Sequence, residues 1–258
     1  MNRHNLLSTF AGVAFGLVSL GVTVGAAAKD AEVRLLSASA LHPAIEALVP
    51  DFEKSSGYKV TVDYGTAGAV AERVLKGEAA DVILSSVQAI DRLEMQGKVV
   101  AGNRVVVAKV GVGAFVRKGA AKPDISSADA FKRAMLAARS IAYPDPSGGG
   151  ASGIYVANLL ERMGIAGEMK SKTRLSTLGT LYSSVASGEV EIGFNQVSEI
   201  LAQPTIELIA PLPSDIQNYT QFAPGIIIGS NQGDAAKALV AFLSSPGSRT
   251  VLKAKGFE

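Results

Sequence analysis

From Ala31 onward, short runs of β-branched and other apolar residues alternate with stretches whose apolar positions recur at helical spacing. That alternation predicts βαβ units and a mostly parallel sheet. The first unit joins a strand over 33–36 to a helix over 44–54 that Gly57 stops. A strand over 59–64, a glycine-spaced turn over 65–68 and a helix over 69–76 come next, then a strand over 81–84 and a helix over 89–95. After Gly102 the pattern changes: residues 105–116 form one long apolar run broken at Gly111 and Gly113, with no helix between its halves. A run of that length threads from one sheet into another, and the crossing falls at 109–113. A second α/β segment follows, with helices over 127–138, 154–163, 178–187 and 197–201 and strands over 140–143, 173–175 and 190–195. Strands over 206–210 and 225–229 flank a return crossing, and helices over 235–243 and 248–255 close the chain.

The N-terminus has a different character. Arg3, an apolar stretch over 6–25 and the small residues Ala26, Ala27 and Ala28 read as a signal peptide cleaved near Ala28, so the mature protein is expected in the periplasm. An uncleaved anchor is the alternative, against which stand the Ser, Thr and Gly residues within the stretch and the small-residue processing site. Without Arg3, the 25 Lys and Arg of the full chain become 24 against 23 Asp and Glu. That balance suggests neither nucleic acid nor an anionic membrane surface. There is no Cys, so disulfides, thiol nucleophiles and thiolate metal sites are excluded. His42 is the one histidine of the mature chain.

Six connections share one form, in which a strand ends, a loop of small polar residues follows and a helix begins. They lie at 37–41, 65–68, 85–86, 147–153, 176–180 and 195–196. Each aims the free amides of a first helical turn at the carboxyl edge of a sheet, where open α/β sheets bind ligands. Such amides favour an anion without any lysine or arginine. Ordinary N-capping explains any single loop as well; six together point to a shared anion site.

Within these loops, Ser37-Ala-Ser-Ala-Leu, Tyr64-Gly-Thr-Ala-Gly, Ala80-Asp-Val-Ile-Leu-Ser-Ser, Pro144-Asp-Pro and Ser152-Gly-Ile-Tyr resemble the periplasmic molybdate-binding proteins, as does the ending over 246–257. The resemblance spans about residues 33–257. It implies a type II periplasmic binding protein: two α/β lobes with central mostly parallel sheets, joined by two crossovers, closing on an anion held by amides and hydroxyls. The lobes would be 29–110 plus 215–258 and 111–214. A membrane permease of an ABC transporter is the implied partner; no cofactor is expected, and the protein is expected as a monomer. Placed on this sequence, the family's first-loop hydroxyl falls on Ala40 beside Ser39, and its second on Ala67 beside Thr66. The amide positions fall on Ser86, Ser152 and Leu178, and a tyrosine is replaced by Gln196. Ser37 and Gly153 complete the expected ligand set. The run 193–201, with Pro211-Leu-Pro213 after it, resembles a divergent branch whose wider group includes an exported aconitate isomerase. The ligand therefore stays open between a molybdate-like oxyanion and a small organic acid.

An isomerase of that type needs an acid and a base beside its substrate. His42, Tyr64 and Glu199 are the candidates, with Asp145 and Tyr143 near them. Each also has a structural explanation: His42 packs beside Pro43, Asp145 holds a turn between prolines, Glu199 sits at a helix start, and the tyrosines pack. The segment 148–153 is glycine-rich but lacks the lysine of a phosphate-binding P-loop, and neither a G-x-S-x-G elbow nor spaced metal ligands occur.

Overall fold

The computed structural model of the protein describes residue 1, residues 31–102 and residues 104–258, and only the backbone of Leu178. The expected export signal, Met1 apart, lies outside the described residues. The first half contains β1 (Glu32–Ala38), a 3-10 turn (Ser39–Leu41), α1 (His42–Ser56), β2 (Lys59–Gly65), α2 (Ala67–Leu75), β3 (Val82–Ser86) and α3 (Val87–Met95). After β4 (Ala108–Arg117) come α4 (Ala128–Ala137), β5 (Ile141–Pro144), α5 (Ala151–Arg162), α6 (Ala166–Met169), β6 (Thr173–Ser176), α7 (Leu178–Ala186), β7 (Ile192–Gln196), α8 (Val197–Leu201) and β8 (Ile206–Pro211). β9 (Tyr219–Ile226), α9 (Gly233–Leu243) and α10 (Pro246–Ala254) complete the chain.

Local chemistry sets these boundaries. Pro43 opens α1, where its missing N–H costs nothing, and Gly57 closes it in the left-handed conformation. Thr66, Ser86, Ser127 and Ser245 each accept from the backbone amide three residues on, capping α2, α3, α4 and α10.

The strands form one continuous mixed sheet in the order β2-β1-β3-β9-β4-β7-β5-β6, with β8 also paired to β4. Pairing is parallel among β1, β2 and β3 and among β5, β6 and β7, and antiparallel wherever β4, β8 or β9 takes part. β4 bridges the two halves: residues 108–111 pair with β9, while residues from Val112 onward pair with β7 and β8.

Alternate strand residues feed opposite layers, as the twofold side-chain period of a strand requires. Leu35 and Leu84 pack beneath α1, α9 and α10 with Phe52 and Leu239, whereas Leu36 and Ile83 face α2 and α3 with Val70 and Ile90. In the second half, Val112, Ala114 and Ile141 join Phe131 and Leu159, while Phe115 and Ala142 meet Leu181 and Val185 of α7. Each half is thus a sheet between two helical layers. Fully burying one such Leu or Phe contributes about 1.5–3 kcal/mol.

Two sequence expectations are corrected. The return strand is β9 at Tyr219–Ile226 rather than 225–229: the two share only residues 225 and 226, Ile227 forms a single bridge to Val99, and the chain turns at 228–229. Its start alternates exposed Tyr219 and Gln221 with buried Thr220 and Phe222, a half-polar pattern that carries little apolar signal. The long apolar run enters the sheet only at Ala108, because residues 104–107 lie outside any strand. At the crossing, the Gln217 side chain substitutes for a neighbouring strand: its Oε1 accepts from Val112 N at 2.8 Å and its Nε2 donates to Val112 O at 3.0 Å and Leu212 O at 3.1 Å.

Candidate functional site

Four connections converge between the halves: the 3-10 turn after β1, the entry to α2, the approach from Pro144 to α5, and the β7–α8 junction. They surround a cleft of about 330 Å³, counting its open mouth. One wall carries Ser39, Ala40, Thr66 and Ala67; Gly150, Ala151 and Ser152 face it. Asn195, Gln196 and Glu199 form the third side, and Ala38, Pro144 and Phe222 complete the lining. No lysine, arginine or histidine is among these residues.

Two hydrogen bonds join the loop at 66–68 to the loop at 148–149. Thr66 Oγ1 donates to the Gly148 carbonyl, and Gly68 N donates to Gly149 O at 3.2 Å. Deeper in, buried Ser198 donates from Oγ to Ala40 O at 2.8 Å, fixing α8 to the 3-10 turn.

On the third side the polar groups are linked. Ser152 Oγ donates to Asn195 Oδ1 at 2.7 Å, and Asn195 Nδ2 donates to the Tyr182 hydroxyl at 2.6 Å. Glu199 accepts from Ser39 and Asn195. Protein encloses its carboxyl although part of the residue still meets solvent, and this burial pushes its pKa up to about 7 against the pull of those two hydrogen bonds. Burial and the Glu199 charge together raise the Tyr182 phenol, so it stays protonated. Gln196 is 3% exposed; its Nε2 donates to Thr220 Oγ1 at 2.9 Å, and its Oε1 has no protein partner.

Six of the expected ligand residues, Ser39, Ala40, Thr66, Ala67, Ser152 and Gln196, lie on the cleft wall. Ser37, Ser86, Gly153 and Leu178 are not among the lining. Ser37 is buried within β1 and donates to Ala38 O at 3.3 Å. Ser86 caps α3 and borders a separate groove with Gly68 and Arg92. Gly153 is small for a different reason: a Cβ there would lie 2.0 Å from the Pro144 carbonyl oxygen. Leu178 begins α7, which flanks an outer pocket through Gly179, Tyr182 and Ser183.

Of the candidate acid–base groups, Glu199 alone is part of the lining. His42 sits in the outer pocket, 3.0 Å from Glu46 Oε1 and with its ring 4.2 Å from that of Tyr64. Tyr64 is half-buried and held protonated by burial. Tyr143 is likewise raised by burial, while Asp145 is lowered, chiefly by hydrogen bonding to Ser147 in its turn. Sequence spacing gives no sign of Tyr182 or Thr220, because each meets its partner from another element. Among the described residues no group of three or more His, Asp or Glu is placed to hold a metal ion.

The fold has counterparts among known proteins. The model of the bacterial extracellular solute-binding protein family matches residues 33–258. The chain belongs to that family. It is a solute-binding protein. The aconitate isomerase of Pseudomonas sp is 32% identical over 230 residues, covering 87% of this chain and 86% of that protein. The molybdate-binding protein ModA of Azotobacter vinelandii is 28% identical over 255 residues, covering 95% and 99% respectively. The Azotobacter vinelandii periplasmic molybdate-binding protein structure superimposes with a TM-score of 0.73 at 20% identity, over 88% of this chain and 98% of that one.

Proposed function

We propose that this solute-binding protein captures a small organic acid, in the periplasm, for an ABC-type import system. Gln196 carries the reading. It is buried in the cleft wall with one amide atom unpartnered, and such a group is costly unless something satisfies it. Because the Thr220 hydroxyl both donates and accepts, a half-turn of the amide lets Thr220 bond Oε1 and frees the NH₂ for an anion.

The rest of the lining favours carbon over metal oxide. Phe222, Pro144 and four alanines give apolar contact to a hydrocarbon skeleton. The Glu199 carboxyl beside them, once protonated, can donate a hydrogen bond to a ligand oxygen. The anion's charge would be met by hydroxyls, the Gln196 amide and the helix starts at Ala67, Ala151 and Val197. In this reading the lobes are 29–110 plus 215–258 and 111–214, flexing where β4 and the 212–218 segment cross, with the export signal removed near Ala28 and a membrane permease receiving the ligand. Ser37, Ser86, Gly153 and Leu178 would support the walls rather than touch the ligand.

A thermal-shift screen with di- and tricarboxylates against molybdate, sulfate and phosphate tests this. Stabilisation by a carboxylate is the expected result; a shift with molybdate or sulfate alone would overturn it.

A second reading has its own observation. Glu199, with a pKa of about 7 and hydrogen-bonded to Ser39 and Asn195, is suited to take and return a proton near neutral pH. It would serve a tricarboxylate isomerase like the Pseudomonas relative. NMR of cis- and trans-aconitate with the purified protein decides: interconversion supports this reading and its absence removes it.

A further inference from the structure

Glu199 and Ser39 belong to two cavities at once. They line the ligand cleft, and they also line the outer pocket that contains His42, Tyr182 and Gln203. The pair is therefore the partition between the cleft and a solvent-open basin. The groups around the Glu199 carboxyl are the Ser39 hydroxyl from the 3-10 turn, the Asn195 amide from β7 and the Tyr182 phenol from α7. His42, from the start of α1, borders the same basin and is bonded to Glu46. No lysine or arginine lines either cavity, so only dipoles of amides, hydroxyls and helix starts offset two negative charges brought together.

We propose that Glu199 couples ligand capture to a proton: it takes up one proton from the outer pocket as an anionic ligand enters. The reaction balances simply: a solvent proton adds to the carboxylate, and the resulting acid donates a hydrogen bond to a ligand oxygen. Capture is thereby linked to one proton. The inference rests on the anion-site reading of the cleft.

Two measurements test it. In the ligand-free protein, carboxyl-carbon NMR should show one glutamate titrating near neutrality that disappears in Glu199→Gln; a Glu199 midpoint in the ordinary carboxylate range overturns the proposal whatever binds. Calorimetry with cis-aconitate, and with molybdate as a second probe, in buffers of different ionisation heat then counts protons. Wild type should take up about one proton per ligand above pH ~7, so that affinity falls about tenfold per pH unit. Glu199→Gln should bind with no such slope, and His42→Gln should keep it. Equal uptake in wild type and Glu199→Gln, or loss of uptake in His42→Gln, would overturn the proposal. Binding without proton uptake counts against this inference alone, whereas failure of both probes to bind counts against the anion reading.

Discussion

Gly68 N donates to Gly149 O at 3.2 Å across the mouth of the cleft, and the two glycines touch without any side chain between them. A Cβ on Gly68 would stand 2.9 Å from Gly149 Cα. Gly68→Ala should therefore hold the two loops apart and weaken ligand capture by about tenfold, equivalent to about 1.4 kcal/mol, within the usual cost of overpacking. The thermal midpoint without ligand should fall by only a few degrees. Calorimetric affinity and the apo melting curve check both parts.

Gln217 ties the crossing segment to Val112 at both its N–H and its carbonyl. Gln217→Ala removes those bonds and leaves the Val112 amide unpaired, which costs about 1–3 kcal/mol. For a chain of this size that corresponds to roughly 2–4 °C in Tm per kcal/mol. Differential scanning calorimetry should record a drop of several degrees; an unchanged Tm would mean that the clamp is replaced by water.

Gly153 tests the difference between a ligand contact and a packing contact. A methyl at this position meets the Pro144 carbonyl oxygen at 2.0 Å, a distance that forces α5 away from β5. Gly153→Ala should cost about 3 kcal/mol or more, read as a large fall in Tm or in soluble yield. A folded variant with normal stability and lost binding would return Gly153 to the cleft.

The Glu199 carboxyl gives stability a pH dependence of definite sign. Its folded pKa, about 7, lies above the ordinary glutamate value of 4.5. Below the lower value both states hold the proton and there is no penalty. As pH rises between the two, the unfolded chain loses its proton first and stability falls; above the upper value the loss is complete, at most about 3 kcal/mol. Glu199→Gln abolishes that loss, so its Tm should gain on wild type across this window and then run parallel. A constant Tm difference across the window would contradict the burial of the carboxyl.

The sequence showed most of the architecture because β1–β3 and α1–α3 obey the apolar periodicities that burial on both sheet faces demands. β9 was misplaced because its half-exposed start alternates polar residues and its interior contains Pro224. The cleft was partly legible for a similar reason: Thr66 and Ser152 stand at helix starts that small polar residues mark. The remainder is tertiary. Asn195 gains its role from Ser152 and Tyr182, which lie 43 and 13 residues away, and Gln196 from Thr220 on the return strand. Ser37, Ser86 and Gly153 are not among the cleft lining: Ser37 is buried in β1, the Ser86 hydroxyl caps α3, and Gly153 packs against the Pro144 carbonyl.

The most direct measurement is a paired calorimetric titration of the mature protein with cis-aconitate and with molybdate, repeated in Gln196→Leu. The account predicts saturable binding of the carboxylate in preference to molybdate, weakened about 10- to 100-fold in the variant by loss of a hydrogen bond to a charged group. Tight binding of molybdate with none of the carboxylate, unaffected by Gln196→Leu, would contradict it.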